Sequence, residues 1–426
     1  MKYLVLTVLV LMMSCSTTQQ KEESQELPEK GFPFYMPKEK PAIKLSKAME
    51  RNYDAYMGIQ PKYNELYSQF KYTELKGFDY NNHDGTITRR DPSKIIFENG
   101  KYYIWYTYRN TKTAPVGGKN AHLATDEIPS SDWDLCDIWY ATSKDGFTWE
   151  EQGVAIKRPE KPAVGWRSVT TTDILKWKGK YYLYYQGFME VSGLRGDDCP
   201  VAVSYADSPD GPWTPHSEVV IPNGGEGQWD QFSIHDPYPL VHNGKIYLYY
   251  KSDSGKGDDL IRLQGLATAD NPLGPFTKHP QNPIINSGHE TTMFPFKEGI
   301  AALVIKDGNE HFTVQYAEDG VNFDIASITE LMPVAGGPFI PDAFTDTKDG
   351  RGITWGVSHL TNVTEWSKNH AILLRFDCDL SLDVDDQQMK KSQYYRKPAF
   401  YYKHGLSKAQ KDRVEKQNKE LLKNKN

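Results

Sequence analysis

Three acidic residues stand at separate points of the chain, each just before a segment rich in strand-forming residues. Asp91 and Asp236 each precede a proline, and Glu290 follows His289. Proline disfavours helical backbone in the residue before it, so both aspartates are predicted to be extended, which would fix the direction of their carboxylates. Cleavage of a glycosidic bond needs such a set, because one group donates a proton and another activates water or attacks carbon. A lone aspartate is more often a turn-capping residue, so it is the set that predicts chemistry.

A repeated hairpin supplies the strands that must position these acids. An apolar strand, a two-residue turn and an aromatic strand recur, with turns at Asn99-Gly100, Lys178-Gly179 and Asn243-Gly244 and weaker copies at Glu298-Gly299 and Asp349-Gly350. Asn-Gly provides the positive φ that such turns require, and the flanking β-branched and aromatic residues favour strands. The repeat therefore predicts five inner hairpins.

A second hairpin falls between these turns, and an aromatic residue follows each of its turns. Its copies turn at Asp145-Gly146, Asp210-Gly211, Gly274 and Asp319-Gly320. An inner and an outer hairpin together make a four-stranded blade, so the chain is predicted to be an all-β, five-bladed β-propeller over residues 76–395. An immunoglobulin-like sandwich is the alternative, but it does not explain two units that alternate at one period.

Charge and hydropathy exclude two broad classes of protein. The 426 residues include 50 Lys+Arg and 56 Asp+Glu, a net charge of −6, whereas a protein with a nucleic-acid partner usually presents a basic face. The mean hydropathy is −0.65, and the single long apolar run is too short to span a bilayer as a helix. Aromatic residues make up 13% of the chain, which is typical of strands and of sugar-facing surfaces.

The first residues are predicted to direct export. A charged start and a short apolar run end at Ser14-Cys15, which predicts a signal peptide over 1–14, lipidation of Cys15 and a flexible tether over 15–32. An ordinary signal peptide with a chance cysteine is the alternative. We expect an exported lipoprotein, periplasmic or associated with the outer membrane, that contacts the membrane only through its lipid anchor.

The other cysteines predict no metal or redox centre. Three cysteines remain besides Cys15, namely Cys136, Cys199 and Cys378, so at most one internal disulfide can form. The sequence contains no CxxC pair.

Helical segments are predicted outside the propeller. Residues 33–75 are expected to form a helical extension that begins after a candidate Ser46 N-cap and includes a second short helix over 62–70. Residues 396–426 are expected to form a Lys-rich helical tail.

Four motifs together resemble glycoside hydrolase family 117. They are Thr88–Lys94 (TRRDPSK), Ser233–Pro237 (SIHDP), Ser287–Thr292 (SGHETT) and the early pattern Ser46-x-Ala48-x-x-Arg51-x-x-Asp54. The resemblance covers nearly the whole mature chain. It implies an exo-acting, inverting α-1,3 hydrolase that releases 3,6-anhydro-L-galactose from the non-reducing end of neoagaro-oligosaccharides. It also implies a homodimer in which the helical extension is swapped through Ser46, Ala48, Arg51 and Asp54.

The same resemblance implies roles for the acidic set. Asp91 would be the base that deprotonates water, His289 the acid, Asp236 the group that orients this acid, and Glu290 a sugar ligand. Nearby carboxylates are expected to raise the pKa of His289 above its usual ~6.5, and inversion predicts roughly 6.5–9.5 Å between base and acid. The more distant propeller families 43 and 32 use the glutamate at this place as the donor, so Glu290 remains the rival acid.

Weaker expectations complete the site. Thr172, Gln186 and Trp133 are predicted sugar contacts, although core packing is an equal alternative for the tryptophan. No metal-binding motif is found and hydrolysis requires no cofactor, although a hydrated divalent cation in the channel is compatible with the fold. Two other functions stay open: a glycosidase of the same fold that cleaves another linkage, of arabinan, xylan or another algal galactan, and a non-catalytic glycan-binding lipoprotein.

Overall fold

The computed structural model describes residues 39–53, 61, 66–192, 199–231, 233–254, 261–346, 348–362, 369–390 and 407–423. The predicted signal peptide, Cys15, the tether and Asp54 lie outside the described residues. Within the described ranges, no helix is long and apolar enough to cross a membrane.

Antiparallel strands dominate the described residues. Strand β1 (Lys71–Glu74) comes first in the chain and joins the last sheet. Sheet 1 contains β2 (Ile87–Arg90), β3 (Ile96–Glu98), β4 (Lys101–Asn110), β5 (Asp137–Ser143) and β6 (Trp149–Ile156). Sheet 2 contains β7 (Ser168–Trp177), β8 (Lys180–Phe188), β9 (Val201–Ala206) and β10 (Thr214–Pro215). Sheet 3 contains β11 (His235–His242), β12 (Lys245–Ser254), β13 (Ile261–Ala269) and β14 (Thr277–Lys278).

Sheet 4 is larger and has a narrow junction. It contains β15 (Thr292–Lys297), β16 (Gly299–Val304), β17 (Thr313–Ala317), β18 (Asp324–Ile328), β19 (Val334–Pro338), β20 (Gly350–Asn362) and β21 (His370–Ser381), together with β1. Strands β15 to β18 form one antiparallel group, and β19, β20, β21 and β1 form the next. The two groups are paired through Phe296 with Arg351 and Lys297 with Gly350. This succession of four-stranded units is a propeller-type arrangement.

The predicted hairpins are found at most of their turns. Positive φ angles at Asn99-Gly100, Lys178-Gly179 and Asn243-Gly244 close the inner hairpins, and β15 pairs with β16 across the fourth turn. The outer hairpins β5–β6, β9–β10, β13–β14 and β17–β18 are also confirmed. The fifth inner turn was wrong as a two-residue turn, because the longer segment 339–349 joins β19 to β20.

Aromatic side chains fill the space within and between the sheets. Trp105, Tyr103, Tyr184 and Tyr250 are almost completely buried, and the Trp105 ring contacts Trp213 of the next sheet edge-on with centroids 5.9 Å apart. The aromatic excess of the sequence therefore mostly builds the core.

The N-terminal extension is only partly helical. Helix α1 (Lys47–Tyr53) begins at Ser46, whose Oγ accepts the Met49 N–H at 3.3 Å as a cap. However, β1 lies inside the segment expected to be helical and pairs with β21. The described part of the predicted second helix, residues 66–70, is not helical either. Its carbonyls accept hydrogen bonds from side chains of sheet 4, so tertiary contacts replace helical ones there.

Helix α2 (Lys408–Lys423) lies within the predicted C-terminal tail. Its Val414 is fully buried, and Gln410 donates from Nε2 to the carbonyl of Gly308 at 3.0 Å. The helix therefore packs on the loop between β16 and β17.

Candidate active site

Five residues of left-handed backbone surround one cavity. They are Asp91, Thr171, Asp236, Glu290 and Ala335, with φ between 45° and 59°. All five line a cavity with an empty volume of about 310 Å³. Thr171, Asp236 and Ala335 lie in β7, β11 and β19, Asp91 directly follows β2, and Glu290 lies two residues before β15. The antiparallel units therefore contribute similar positions to the site.

This backbone corrects the prediction that the residues before proline are extended. The ladders of β7 and β11 shift register at Thr171 and Asp236, and β2 ends directly before Asp91. A bulge of this kind interrupts strand pairing and redirects the side chain. The conformation costs energy for any residue except glycine, and such positions concentrate at functional sites. Tertiary pairing thus overrides the local preference of an X-Pro sequence.

Arg90 connects three carboxylates at the bottom of this site. Its guanidinium donates to Asp91 at 2.8 Å, to Asp132 at 2.7 Å and to Glu290 at 2.7 Å. All four side chains are buried. Buried charges are stable only when paired and hydrogen bonded, so this single cation fixes the positions of its three partners.

Asp91 has the environment of an ionised base. The Thr171 hydroxyl donates to Oδ2 at 3.1 Å, while Oδ1 accepts no hydrogen bond from the described residues and lies 3.3 Å from Nδ1 of His359. Burial acts to raise the pKa of this carboxyl, but Arg90 and His359 hold it well below its usual range. The free oxygen is thus available to accept a proton.

Asp236 has the opposite electrostatic balance. Its backbone N–H donates to Oε1 of Gln186 at 2.9 Å, and its carboxylate lies 2.9 Å from Nζ of Lys251. Burial raises the pKa of Asp236, and the charges of Glu290 and Asp91 add to this effect against the opposing Lys251.

Glu290 is held as an anion. Burial acts to raise its pKa, but His289, His359, Lys306 and Arg90 together lower it below the usual range. An ionised carboxylate cannot donate a proton, so this environment disfavours Glu290 as the catalytic acid.

His289 lies beside Glu290 and remains 26% exposed. Its Nε2 is 3.8 Å from Oε1 of Glu290, and its Nδ1 is 3.3 Å from Oδ2 of Asp307. The expectation of a raised pKa was wrong: burial lowers the pKa of His289 well below its usual value, and Lys251, Arg262 and Lys306 add to this effect. The sequence shows which charges are near in the chain, but not how far a side chain is desolvated.

Comparisons with known proteins identify the family of the chain. A model described as glycosyl hydrolases family 43 matches residues 129–266. Zg3597, a family 117 glycoside hydrolase of the marine bacterium Zobellia galactanivorans, is 63% identical with a TM-score of 0.75, over 81% of this chain and 100% of the other. The chain belongs to glycoside hydrolase family 117.

Two more distant structures share the fold with this family 117 hydrolase. A complex described as BT0996 with RGII is 11% identical with a TM-score of 0.54, over 79% of this chain and 97% of the other. A structure described as a glycoside hydrolase is 10% identical with a TM-score of 0.52, over 79% and 97%. No curated protein matches the chain significantly.

The three predicted sugar contacts of this hydrolase differ in their position relative to the cavity. Thr172 lines the cavity, but its hydroxyl donates to the backbone of Tyr184. Gln186 is buried, and its Oε1 accepts a hydrogen bond from the backbone N–H of Asp236. The Arg90 guanidinium lies over the Trp133 ring, 5.0 Å from the ring centroid, in a cation–π contact. The Trp133 Nε1 donates a hydrogen bond to the Ser192 hydroxyl at 2.8 Å. One face of this indole is therefore already covered by a cation.

Several site residues were missed by the sequence reasoning. Arg90 stands inside the motif that contains Asp91, and its place next to a carboxylate was a signal that could have been used. Thr171 and Asp132 precede predicted contacts by one residue each. His359 lies in β20 without any motif around it, so only the folded chain reveals it.

His359 also decides how a cation would fit. One donor atom each of Asp91, Glu290 and His359 lie within 4.8 Å of one another. However, Arg90 already binds one oxygen of each carboxylate, and the two other oxygens face different ring nitrogens of His359, at 3.3 and 3.9 Å. Nδ1 of this imidazole also accepts the Asp91 backbone N–H at 3.2 Å, and Arg90 already balances the charge of both carboxylates, so the side chains present here do not need an ion to hold them.

Proposed function

We propose that this family 117 hydrolase is an exo-acting α-1,3 glycosidase that releases 3,6-anhydro-L-galactose from the non-reducing end of neoagaro-oligosaccharides. The observation that carries the proposal is the convergence of Asp91, Asp236 and Glu290 on one cavity, with Asp91 ionised and one of its oxygens free. The substrate follows from the motifs that the chain shares with its family.

Lys94 joins three sheets beside the cavity. Lys94 is fully buried, binds Asp173 and donates to the carbonyl of Pro239 at 2.8 Å. Its Nζ also lies 4.1 Å from the ring centroid of Tyr238, which lines the cavity together with Asp173. Three sheets therefore meet at one buried ammonium group next to residues that line the cavity.

The proposed reaction is a single displacement with inversion. Oδ1 of Asp91 takes a proton from water as the water oxygen bonds to the anomeric carbon. The bond from this carbon to the leaving oxygen breaks, and His289 in its imidazolium form gives the proton on Nε2 to that oxygen and keeps the proton on Nδ1. The lowered pKa of His289 makes this imidazolium a stronger acid. Glu290 accepts hydrogen bonds from sugar hydroxyls. Asp236 was expected to orient this acid, but its carboxylate contacts Lys251, while the contact at Nδ1 of His289 is Asp307.

The architecture and assembly belong to the same proposal. We propose that the two strand groups of sheet 4 are separate blades, which makes a five-bladed propeller, since five equivalent left-handed positions surround the cavity. We also propose export as a lipoprotein anchored at Cys15, with oligosaccharides as the substrate partners. A homodimer would form by swapping the extension that contains α1. Its Ser46, Ala48 and Arg51 here contact the segment between β14 and β15 and the loop between β16 and β17.

The deciding experiment is incubation of the purified protein with neoagarobiose. Release of anhydrogalactose is followed by chromatography, and the first anomer formed is read by NMR. Asp91→Asn is expected to reduce the rate by at least about 10³-fold, since the amide cannot accept the proton. Turnover of other glycosides but not neoagarobiose would refute the substrate and leave the hydrolase class standing. Full activity of Asp91→Asn would refute the assignment of the base.

A further inference from the structure

The loop between β16 and β17 contacts the segment that contains His289. The backbone N–H of His289 donates to the carbonyl of Ile305 at 2.6 Å, and that of Gly288 donates to the carbonyl of Asp307 at 3.2 Å. Lys306 and Asp307 both have left-handed backbone, with φ of 47° and 50°. The loop is thus bent sharply at the point where it meets His289, and this bend places an acidic side chain beside the ring.

The Asp307 carboxylate contacts the ring nitrogen of His289 that faces away from Glu290. Its Oδ2 lies 3.3 Å from Nδ1 of His289 and receives a hydrogen bond of 2.7 Å from Nη1 of Arg262. Arg262 therefore holds the carboxylate in place. A carboxylate at Nδ1 stabilises the imidazolium form of His289 and fixes the orientation of the ring, so that the proton on Nε2 is the one given away while Nδ1 keeps its own.

The two terminal helices hold the outer side of the same loop. Arg51 of α1 forms two hydrogen bonds to the buried Glu310, at 2.6 and 2.9 Å, and the backbone N–H of Glu310 donates to Ser287 at 2.9 Å. Gln410 of α2 donates to the carbonyl of Gly308. Loop, His289 segment and both helices therefore form one connected structure.

We propose that Asp307 is the positioning residue of the His289 acid, and that the 305–310 loop holds it in register. This rests on the proposed hydrolase function. Asp307 does not contact the reacting atoms, so its removal should weaken proton donation while substrate binding persists.

The contact itself is tested without any substrate. In protein labelled with ¹⁵N-histidine, the His289 signal is assigned by its loss in His289→Gln. In the wild type, neutral His289 is expected to hold its proton on Nδ1, and in Asp307→Ala this proton should redistribute towards Nε2. Asp270→Ala is the matched control, since Asp270 is exposed and its nearest cation, Lys245, is 3.8 Å away. An unchanged His289 signal in Asp307→Ala would overturn the proposal even if the enzyme is active.

The kinetic test compares two leaving groups. On neoagarobiose, Asp307→Ala is expected to lower kcat about 10- to 100-fold with KM changed less than about 3-fold. On an aryl glycoside of the same sugar, whose leaving group needs no proton, the loss should be less than about 3-fold. Equal losses on both substrates would show a merely structural role. If Asp307→Ala unfolds, Asp307→Asn provides the same comparison with the side-chain volume retained. If the wild-type protein turns over neither substrate, the proposed hydrolase function is refuted. The role of Asp307 as the residue that positions His289 is then judged by the NMR result alone.

Discussion

At the scale of single residues, Arg90 holds the carboxylates of the site together. One guanidinium binds Asp91, Asp132 and Glu290, and arginine has the planar set of donors that this geometry requires. The sequence was sufficient to select three of the acids that meet in the cavity, because their motifs are local. The lowered pKa of His289 and the contact with Asp307 could not be predicted, since both depend on burial and on a loop that is adjacent only in the folded chain.

Arg90→Lys is expected to lower kcat/KM about 100-fold, because an ammonium group cannot bind all three carboxylates in these positions. Its matched control is Arg89→Lys in the same strand. Arg89 is equally buried, but it binds Glu151 at 2.8 and 2.9 Å, away from the cavity. Both variants should lose stability, by about 1–3 kcal/mol, whereas only Arg90→Lys should lose activity. Steady-state kinetics with urea denaturation measures both, and equal kcat/KM losses would contradict a special role for Arg90.

At the scale of elements, hairpins were predictable and bulges were not. The turns with Asn-Gly or Lys-Gly encode a local conformation, so the sequence located the hairpins that contain them. The left-handed residues at the cavity have no common residue type, since Asp, Thr, Glu and Ala all occupy equivalent positions. Strand β1 was missed because its four exposed residues carry no apolar alternation, and pairing with β21 alone makes it a strand.

Ala335 offers a direct test of the strain at these five positions. Its φ of 45° is unfavourable for alanine, and glycine would relieve this strain. Glycine also increases the entropy of the unfolded chain, which offsets part of the gain. Ala335→Gly is therefore expected to raise the free energy of unfolding by a net amount of about 0.5–1 kcal/mol. Ala302→Gly is the control, because Ala302 lies buried within the regular strand β16. That variant should lose about 1 kcal/mol. Urea denaturation of both variants measures the difference, and a destabilised Ala335→Gly would mean that the left-handed backbone is not strained.

The whole molecule depends on contact between its first and last sheets. The Ile95 N–H donates to the carbonyl of Pro338 at 3.0 Å, and Ile95 forms a parallel bridge with Phe339. This contact joins the segment directly after Asp91 to β19. The sequence predicts that a propeller must close, but it does not show which backbone atoms meet, because the closing residues are more than 240 positions apart.

Gly337 lies at the tightest point of this closure and yields the prediction at this scale. A Cβ atom there would lie 1.9 Å from the Ser93 carbonyl oxygen and 2.7 Å from that of Pro92. Both oxygens belong to the backbone, so they can move away from the added Cβ only if the first and last sheets separate. Gly337→Ala is therefore expected to lose about 3 kcal/mol of stability or more. Activity should fall as well, since Pro92 and Ser93 follow the base Asp91. Gly118→Ala is the control, because nothing lies within 4 Å of its Cβ position. Thermal unfolding followed by calorimetry, with kinetics below the transition, tests both effects. A Gly337→Ala protein as stable and active as Gly118→Ala would show that the first and last sheets are not held together here, and that closure depends on β1 instead.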